Sequence, residues 1–291
     1  MERNERETLR VTLLGTGGPP PIMDRFGPST LVEAGAEKFL FDAGRGVLQR
    51  LFQLSIPFAD ISGLFLTHLH SDHVVGIPDL WLTGWIGQSW GKRKVPLRVW
   101  GPPETKEMMS HLEKAYQFDI RIRTHYPKDG VAVVAEDFTG GVVYEKNGVK
   151  ITAFEVDHGR VKPAYGYRID YAGRSVVLSG DTRFNENVIR FSQGVDLLVH
   201  EVAAMTEEFL STSEVARIIA GNHTTPEKAA EVFKRAKPKL AVYTHILQFG
   251  GFKLKDLIDS TRKTYPGPLE VGEDLMAIDL GENVEVRRFK L

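Results

Sequence analysis

Residues 67–73 read Thr-His-Leu-His-Ser-Asp-His and follow directly on the apolar run 61–66. That run has the length and composition of a buried strand, and alternate residues of a strand face the same way, so His68 and His70 are expected on one side. Asp72 and His73 come where the strand should end and the chain turn through Val74, Val75 and Gly76 toward Ile77-Pro78. Neutral imidazole and carboxylate are the usual non-sulfur ligands of zinc and related metals. Four side chains so spaced do not easily reach a single cation. His68 and His70 suit one metal, and Asp72 and His73, displaced beyond the strand end, suit a second. A polar loop with accidental histidines is the bland alternative, but three of the nine histidines of the chain fall within six positions beside an aspartate.

The rest of the composition narrows the setting. At 291 residues and 32.6 kDa the chain fits one α/β-type domain spanning 1–291. A 42% hydrophobic and 26% charged make-up is that of an ordinary globular protein with an ample core. The net charge of −1 argues against a surface dominated by nucleic-acid electrostatics, although a local basic patch fits within a neutral total. The absence of cysteine removes disulfides, thiolate ligands and cysteine nucleophiles together. Residues 1–7 are charged with no apolar h-region after them, and no window is long and apolar enough to span a membrane. A cytoplasmic location is the expectation, a removed leader aside.

Along the chain, residues 9–14 read as a strand ending in Gly15-Thr16-Gly17-Gly18 and three prolines. This glycine cluster lacks the Lys-Ser/Thr of a P-loop and reads as a structural turn. Strands are expected at 30–34 and 38–41, a helix at 47–53, and a helical stretch at 80–90 carrying Trp81, Trp85 and Trp90. Trp81 and Trp85, four apart, share a helical face, either as core packing or as an apolar wall beside the metals. Hairpins are expected around Asn147-Gly148, Ala172-Gly173 and Gly281, with helices at 104–117, 214–220, 226–236 and 256–265. Strands at 95–100, 196–200 and 240–243 complete the pattern, which suggests two packed sheets with helices on their outer faces.

Further ligands should come from strand ends, where loops meet one edge of the sheets. Val156-Asp157-His158-Gly159, Leu178-Ser179-Gly180-Asp181-Thr182 and Tyr243-Thr244-His245 each put a histidine or carboxylate where an apolar run ends. With Leu14-Gly15-Thr16-Gly17, Phe41-Asp42-Ala43-Gly44 and Trp100-Gly101-Pro102-Pro103, these strings make the chain resemble the metallo-β-lactamase fold superfamily of binuclear zinc hydrolases, in its ribonuclease Z and arylsulfatase-like branch. The resemblance covers almost the whole length and implies an α+β fold, a four-layer αββα sandwich with two metals in a cleft at one edge of the sheets. It implies that His68, His70 and His158 hold one zinc, that Asp72, His73 and His245 hold the other, and that Asp181 bridges them; manganese or iron also fits such a set. It further implies that His223 is a general acid with Glu201 as its orienting partner, and that Asp72 orients or deprotonates the attacking water. Thr225 before Pro226 reads as a helix cap, and His111, His125 and His200 as surface or packing residues.

Substrate is set elsewhere. Ribonuclease Z normally carries a long arm that grips tRNA, and in the common bacterial form it lies between the Gly-Tyr-Arg and Ser-Gly-Asp-Thr strands. Here Gly166-Tyr167-Arg168 runs through Ala172-Gly173 into Leu178 with no room for one, and residues 124–141, with Asp129, Glu136 and Asp137 against Lys128, match a phosphate backbone poorly. With the three tryptophans placed near the cleft, the expected substrate is a small ester: a phosphodiester, an aryl sulfate, or a lactam or lactone. Cleavage of tRNA at its 3′ end without the arm is the alternative. The resemblance also implies a homodimer. A binding module that had abandoned chemistry would have shed ligands, and the full set is present.

Overall fold

The computed structural model describes residues 8–87 and 90–289; the charged run 1–7 and residues 88–89 of the tryptophan stretch lie outside the described residues. Among the described residues, strands β1 (Leu9–Gly15), β2 (Ser29–Ala34), β3 (Glu37–Phe41), β4 (Gly63–Phe65), β5 (Leu97–Gly101) and β6 (Val133–Asp137) come first. They are followed by β7 (Gly141–Lys146), β8 (Val149–His158), β9 (Val161–Tyr171), β10 (Arg174–Leu178), β11 (Leu197–Met205), β12 (Leu240–Phe249) and β13 (Leu269–Val271). The chain then returns to the first sheet with β14 (Met276–Leu280) and β15 (Val284–Arg287). One sheet runs β15-β14-β1-β2-β3-β4-β5-β6 and the other β13-β12-β11-β10-β9-β8-β7.

The two-residue period of the strands builds the layers. Leu13, Phe65, Val176, Leu197 and Val242 point between the sheets into one core with Phe39, Phe41, Tyr167 and Ile278. Their neighbours Leu14 and Leu64 point outward beneath the helices Val47–Gln53 and Ile77–Ile86. Val177, Leu198 and Ala241 point outward on the other side, beneath the helices Pro226–Ala236 and Leu254–Arg262. Runs of consecutive apolar residues are therefore strands buried on both faces, and the result is the αββα sandwich. Hairpins form at Asn147-Gly148 and Ala172-Gly173, where both central residues have positive φ (52° and 79°, 48° and 73°), the backbone that matches the twist of paired strands. Thr225 caps the helix Pro226–Ala236 through Lys228 N–H.

Three features of the fold bear on function, two of them departures from expectation. The strand before the histidine cluster is only Gly63–Phe65, so the cluster lies on a loop and a short helix, Ser71–Val74, instead of on a strand continuation. Residues 124–141, already a poor match to a phosphate backbone, hold the helix Lys128–Val131 and β6, which extends the first sheet by parallel pairing with β5. The tryptophans build no wall. Trp81 and Trp85 are buried, their indole N–H groups donating to Val131 O and Pro127 O at 2.8 Å, while Trp90 stands against Phe52 on the surface. Helical spacing located the shared face of Trp81 and Trp85, but that face packs into the protein, Trp81 in the core under the first sheet and Trp85 against Tyr126 and Pro127. No helix among the described residues is long and apolar enough to cross a membrane.

Candidate metal centre

The loop after β4 is fastened by Asp42, at the end of β3. Its carboxylate accepts hydrogen bonds from Thr67 N–H and Thr67 Oγ1 (both 2.8 Å) and from His73 Nδ1 (2.7 Å). Thr67 Oγ1, with its proton given to Asp42, accepts from His68 Nδ1 at 3.0 Å. His158, the last residue of β8, donates from Nδ1 to Asn222 O at 2.9 Å. In each ring the outer nitrogen is thus committed as a donor, which leaves Nε2 as the free acceptor pointing inward.

Asp181 and His245 reach the same place through unusual backbone. Gly180, with φ of +60°, passes so close to Tyr165 O that a Cβ there would lie 2.4 Å from it, and this turn delivers Asp181 inward. His245 is a bulge: Thr244 pairs with Glu201 and Ile246 with Val202, leaving His245 the extra residue, with φ of +43°. Gly18 of the first glycine loop packs against its ring, where a Cβ would come within 3.1 Å of Cε1.

The inward atoms converge on one carboxylate. Asp181 Oδ2 lies 3.9 Å from His68 Nε2, 3.4 Å from His73 Nε2, 3.8 Å from His158 Nε2 and 3.3 Å from His245 Nε2. Asp72 Oδ2 is 3.4 Å from His245 Nε2, and His70 Nδ1 is 3.4 Å from His158 Nε2. The donor atoms fall into the groups His68, His70, His158, Asp181 and Asp72, His73, His245, each confined within 4.8 Å. Two ligands of one tetrahedral zinc, each at about 2.0–2.1 Å, stand about 3.3 Å apart, so this spacing is that of a coordination shell. His68 Nε2 and His73 Nε2 are buried without a hydrogen-bond partner. Such orphans cost about 1–3 kcal/mol each unless something fills the space between them. The arrangement fits a binuclear metal centre.

The electrostatics agree. Burial holds His68, His70 and His158 below the ordinary imidazole range, most strongly at His68, where neighbouring histidines add to it. Burial also opposes a charge on His73, but Asp181 and Asp42 overcome it and raise that ring well above its ordinary value. At Asp181 burial is outweighed by His245, His73 and His68, which hold the carboxylate well below its usual range. The carboxylates therefore demand positive charge at the centre of the cluster, which a proton on His73 or a cation supplies.

His223 completes the constellation from the second sheet's side. It ends the helix Glu214–Asn222, with Nδ1 3.2 Å from Glu201 Oε2 and its ring stacked on His245 at 5.6 Å. Glu201 is buried and also accepts from Thr224 N–H (2.9 Å) and Thr182 N–H (3.3 Å). Burial works against a charge on His223, but Glu201 prevails and the ring is raised to about 9. All nine residues singled out in the sequence thus meet in one place. His200 is buried against Phe233 with its Nδ1 donating to Glu201 O, and His111 and His125 are exposed. Sequence reasoning passed over Asp42, Thr67 and Asn222 as partners of the ligand rings. Asp42 carried a signal, since Phe41-Asp42-Ala43-Gly44 ends a strand with a carboxylate just as the Asp181 string does.

In front of the cluster lies a cavity of about 370 Å³, into which His70, Asp72, His158, Asp181, His223 and His245 face. Its far side is Pro19, Pro20, Ile219, Asn222, Leu247 and Phe249.

Residues 37–246 match the family described as "Beta-lactamase superfamily domain". The chain is 37% identical over 284 residues to ribonuclease Z of Mycolicibacterium gilvum (strain PYR-GCK), covering 95% of this chain and 98% of that one. It is 36% identical over 276 residues to ribonuclease Z of Mycobacterium bovis (strain BCG / Pasteur 1173P2), covering 94% and 98%. Among solved structures, the metallo-β-lactamase fold protein YhfI from Bacillus subtilis superposes with a TM-score of 0.74 at 20% identity over 94% of this chain and 100% of that one. The short form of human tRNase Z gives 0.71 at 21% identity over 92% and 98%. With its sandwich, its paired donor groups and these relatives, the chain belongs to the metallo-β-lactamase superfamily, is related to ribonuclease Z, and is a metal-dependent hydrolase of ester or phosphoester bonds.

Proposed function

We propose that the chain is a zinc-dependent endoribonuclease of the ribonuclease Z kind, cleaving tRNA precursors at the 3′ end. The observation that carries this reading is the 37% identity to a ribonuclease Z along 98% of that relative's length. Such end-to-end correspondence also removes the weight of the missing arm. The β9–β10 hairpin is tight here, but a relative aligned over 98% of its own length has no long insertion that this chain lacks. Both termini of the sandwich are woven into one sheet, β14 pairing with β1, which supports 1–291 acting as one hydrolase domain.

In this reading His68, His70 and His158 would hold one zinc and Asp72, His73 and His245 the other, with Asp181 shared between them. Zinc is favoured by five histidines and two carboxylates without sulfur. When bound, the metals supply the Lewis acidity that makes water a nucleophile at neutral pH and offsets charge on the phosphoryl oxygen. Asp72, whose Oδ2 faces the cavity beside His245, orients that water and accepts its proton. His223, raised to about 9, is protonated at neutral pH and gives its Nε2 proton to the departing ribose oxygen. Glu201 holds the opposite nitrogen and keeps the ring turned toward the cavity.

The apolar far wall favours a second reading, hydrolysis of small aryl esters by the same site. The two are separated by incubating the zinc-loaded protein with a tRNA precursor, bis(p-nitrophenyl) phosphate, an aryl sulfate and a β-lactam. The expected outcome is a discrete RNA product with a kcat/KM above that of every small ester. Turnover of small esters without a discrete RNA product would reverse the ranking.

A further inference from the structure

The far wall of the cavity has no part in the hydrolytic steps above, yet it is built with order. Leu247 and Phe249 follow His245 on β12 at two-residue spacing and leave the strand on the same side. Ile219 and Asn222, three apart on the helix Glu214–Asn222, face the same space, so the elements that bring His245 and His223 to the cluster also present this wall. Phe249 lies nearly parallel to Phe209, with centroids 6.0 Å apart and planes 15° apart, so its ring is held against a second aromatic side chain. The strand ends at Phe249 itself, and the carbonyl of the following Gly250 accepts from Thr206 Oγ1 at 3.2 Å, fixing where the ring stands.

The chemistry of this wall is selective. No lysine or arginine is among the described residues lining the cavity, so this wall brings no cation of its own to a phosphate flanking the cut. A space of about 370 Å³ lies at the small end of ligand pockets and is too small for a duplex, but it has room for a single unstacked nucleoside. An aromatic face between aliphatic side chains, with one amide nearby, recognises any base by its π-face.

We propose that Phe249, flanked by Ile219 and Leu247, is a stacking platform for the nucleobase next to the scissile phosphodiester. The proposal rests on the RNA reading above. Flanking phosphates are then held elsewhere, and the base adjoining the cut leaves its neighbours to enter the cavity.

The test uses two diesters with one leaving group: the p-nitrophenyl ester of a nucleoside 5′-phosphate and its base-free ribose counterpart. Wild-type zinc-loaded protein should favour the nucleoside ester, and Phe249→Ala should lower the ratio of the two kcat/KM values about tenfold, the loss of one stacked base. Phe249→Tyr should keep the ratio, and Phe249→Leu should fall between. Equal handling of the two esters by the wild type, or equal losses on both in Phe249→Ala, overturns the platform. The same variants are assayed on a tRNA precursor. A base-dependent ratio without RNA cleavage sinks the RNA reading and leaves the platform serving mononucleotide esters, so the two failures are told apart.

Discussion

Each sheet places a buried carboxylate behind the Nδ1 of one histidine. On the first, Asp42 holds His73 at 2.7 Å; on the second, Glu201 holds His223 at 3.2 Å. The carboxylates are satisfied alike, Asp42 by the N–H and hydroxyl of Thr67, Glu201 by the N–H groups of Thr182 and Thr224. Both rings are raised above their ordinary range against the pull of burial, His73 by Asp181 together with Asp42 and His223 by Glu201. What differs is the view from Nε2. In His73 it is buried, unpartnered and 3.4 Å from Asp181, whereas the side chain of His223 keeps 10% of its surface exposed and borders the cavity. One motif thus serves two ends. A carboxylate behind an enclosed imidazole makes a better ligand, and the same carboxylate behind an imidazole open to substrate makes a proton donor that stays charged at neutral pH.

The largest effect expected from this contrast is at His223. Replacement with alanine should lower kcat on RNA by about 10²–10⁴-fold, the range of general acid catalysis, with metal content by elemental analysis unchanged. The loss on p-nitrophenyl diesters should be much smaller, because nitrophenolate departs without a proton. His223 also lies with Asp181 and His245 in a third compact donor group. Loss of metal in His223→Ala would therefore make it a ligand and abolish the distinction between the two pairs.

Asp42 should behave in the opposite sense. Asp42→Asn keeps the shape and tolerates the local φ of +60°, yet removes the charge behind His73. Metal affinity should fall about 10–100-fold, and excess zinc should recover most of the activity. A variant that binds zinc normally but has lost turnover would show Asp42 to act on the reaction itself.

The contrast was half visible in the sequence. The donors could be read because each ends an apolar run, and local chain geometry is enough to bring strand ends to one edge of a sandwich. The layers could be read because period-two burial and the Asn147-Gly148 and Ala172-Gly173 turns are local properties. Asp42 was harder to read: its partners Thr67 and His73 lie 25 and 31 residues away and meet it only through the parallel pairing of β3 with β4. The tryptophan helix could be read for its shared face but not for which layer that face meets. The wall of Ile219, Leu247 and Phe249 was invisible, because it depends on a bulge at His245 that no pattern of residue types announces.

The smallest effect, and the sharpest on the comparison, is at Glu201. Its negative charge is what keeps His223 protonated, so in the wild type the acid function is present at low and neutral pH and is lost as pH rises through about 9. Cations bound beside the ring would move that limb to or below this value, since like charges disfavour the imidazolium. Glu201→Gln retains an oxygen for Thr182 and Thr224 N–H but turns an amide N–H toward His223 Nδ1, which favours the neutral ring. The alkaline limb of kcat/KM for RNA should therefore shift to lower pH, with about a tenfold loss or less near pH 7 and near-recovery at more acid pH. Zinc content should not change. If the limb stays in place, the proton lost at high pH does not belong to the His223–Glu201 pair, and the second sheet's carboxylate only anchors the turn at Thr224. The two pairs would then differ in kind and not merely in what their Nε2 atoms face.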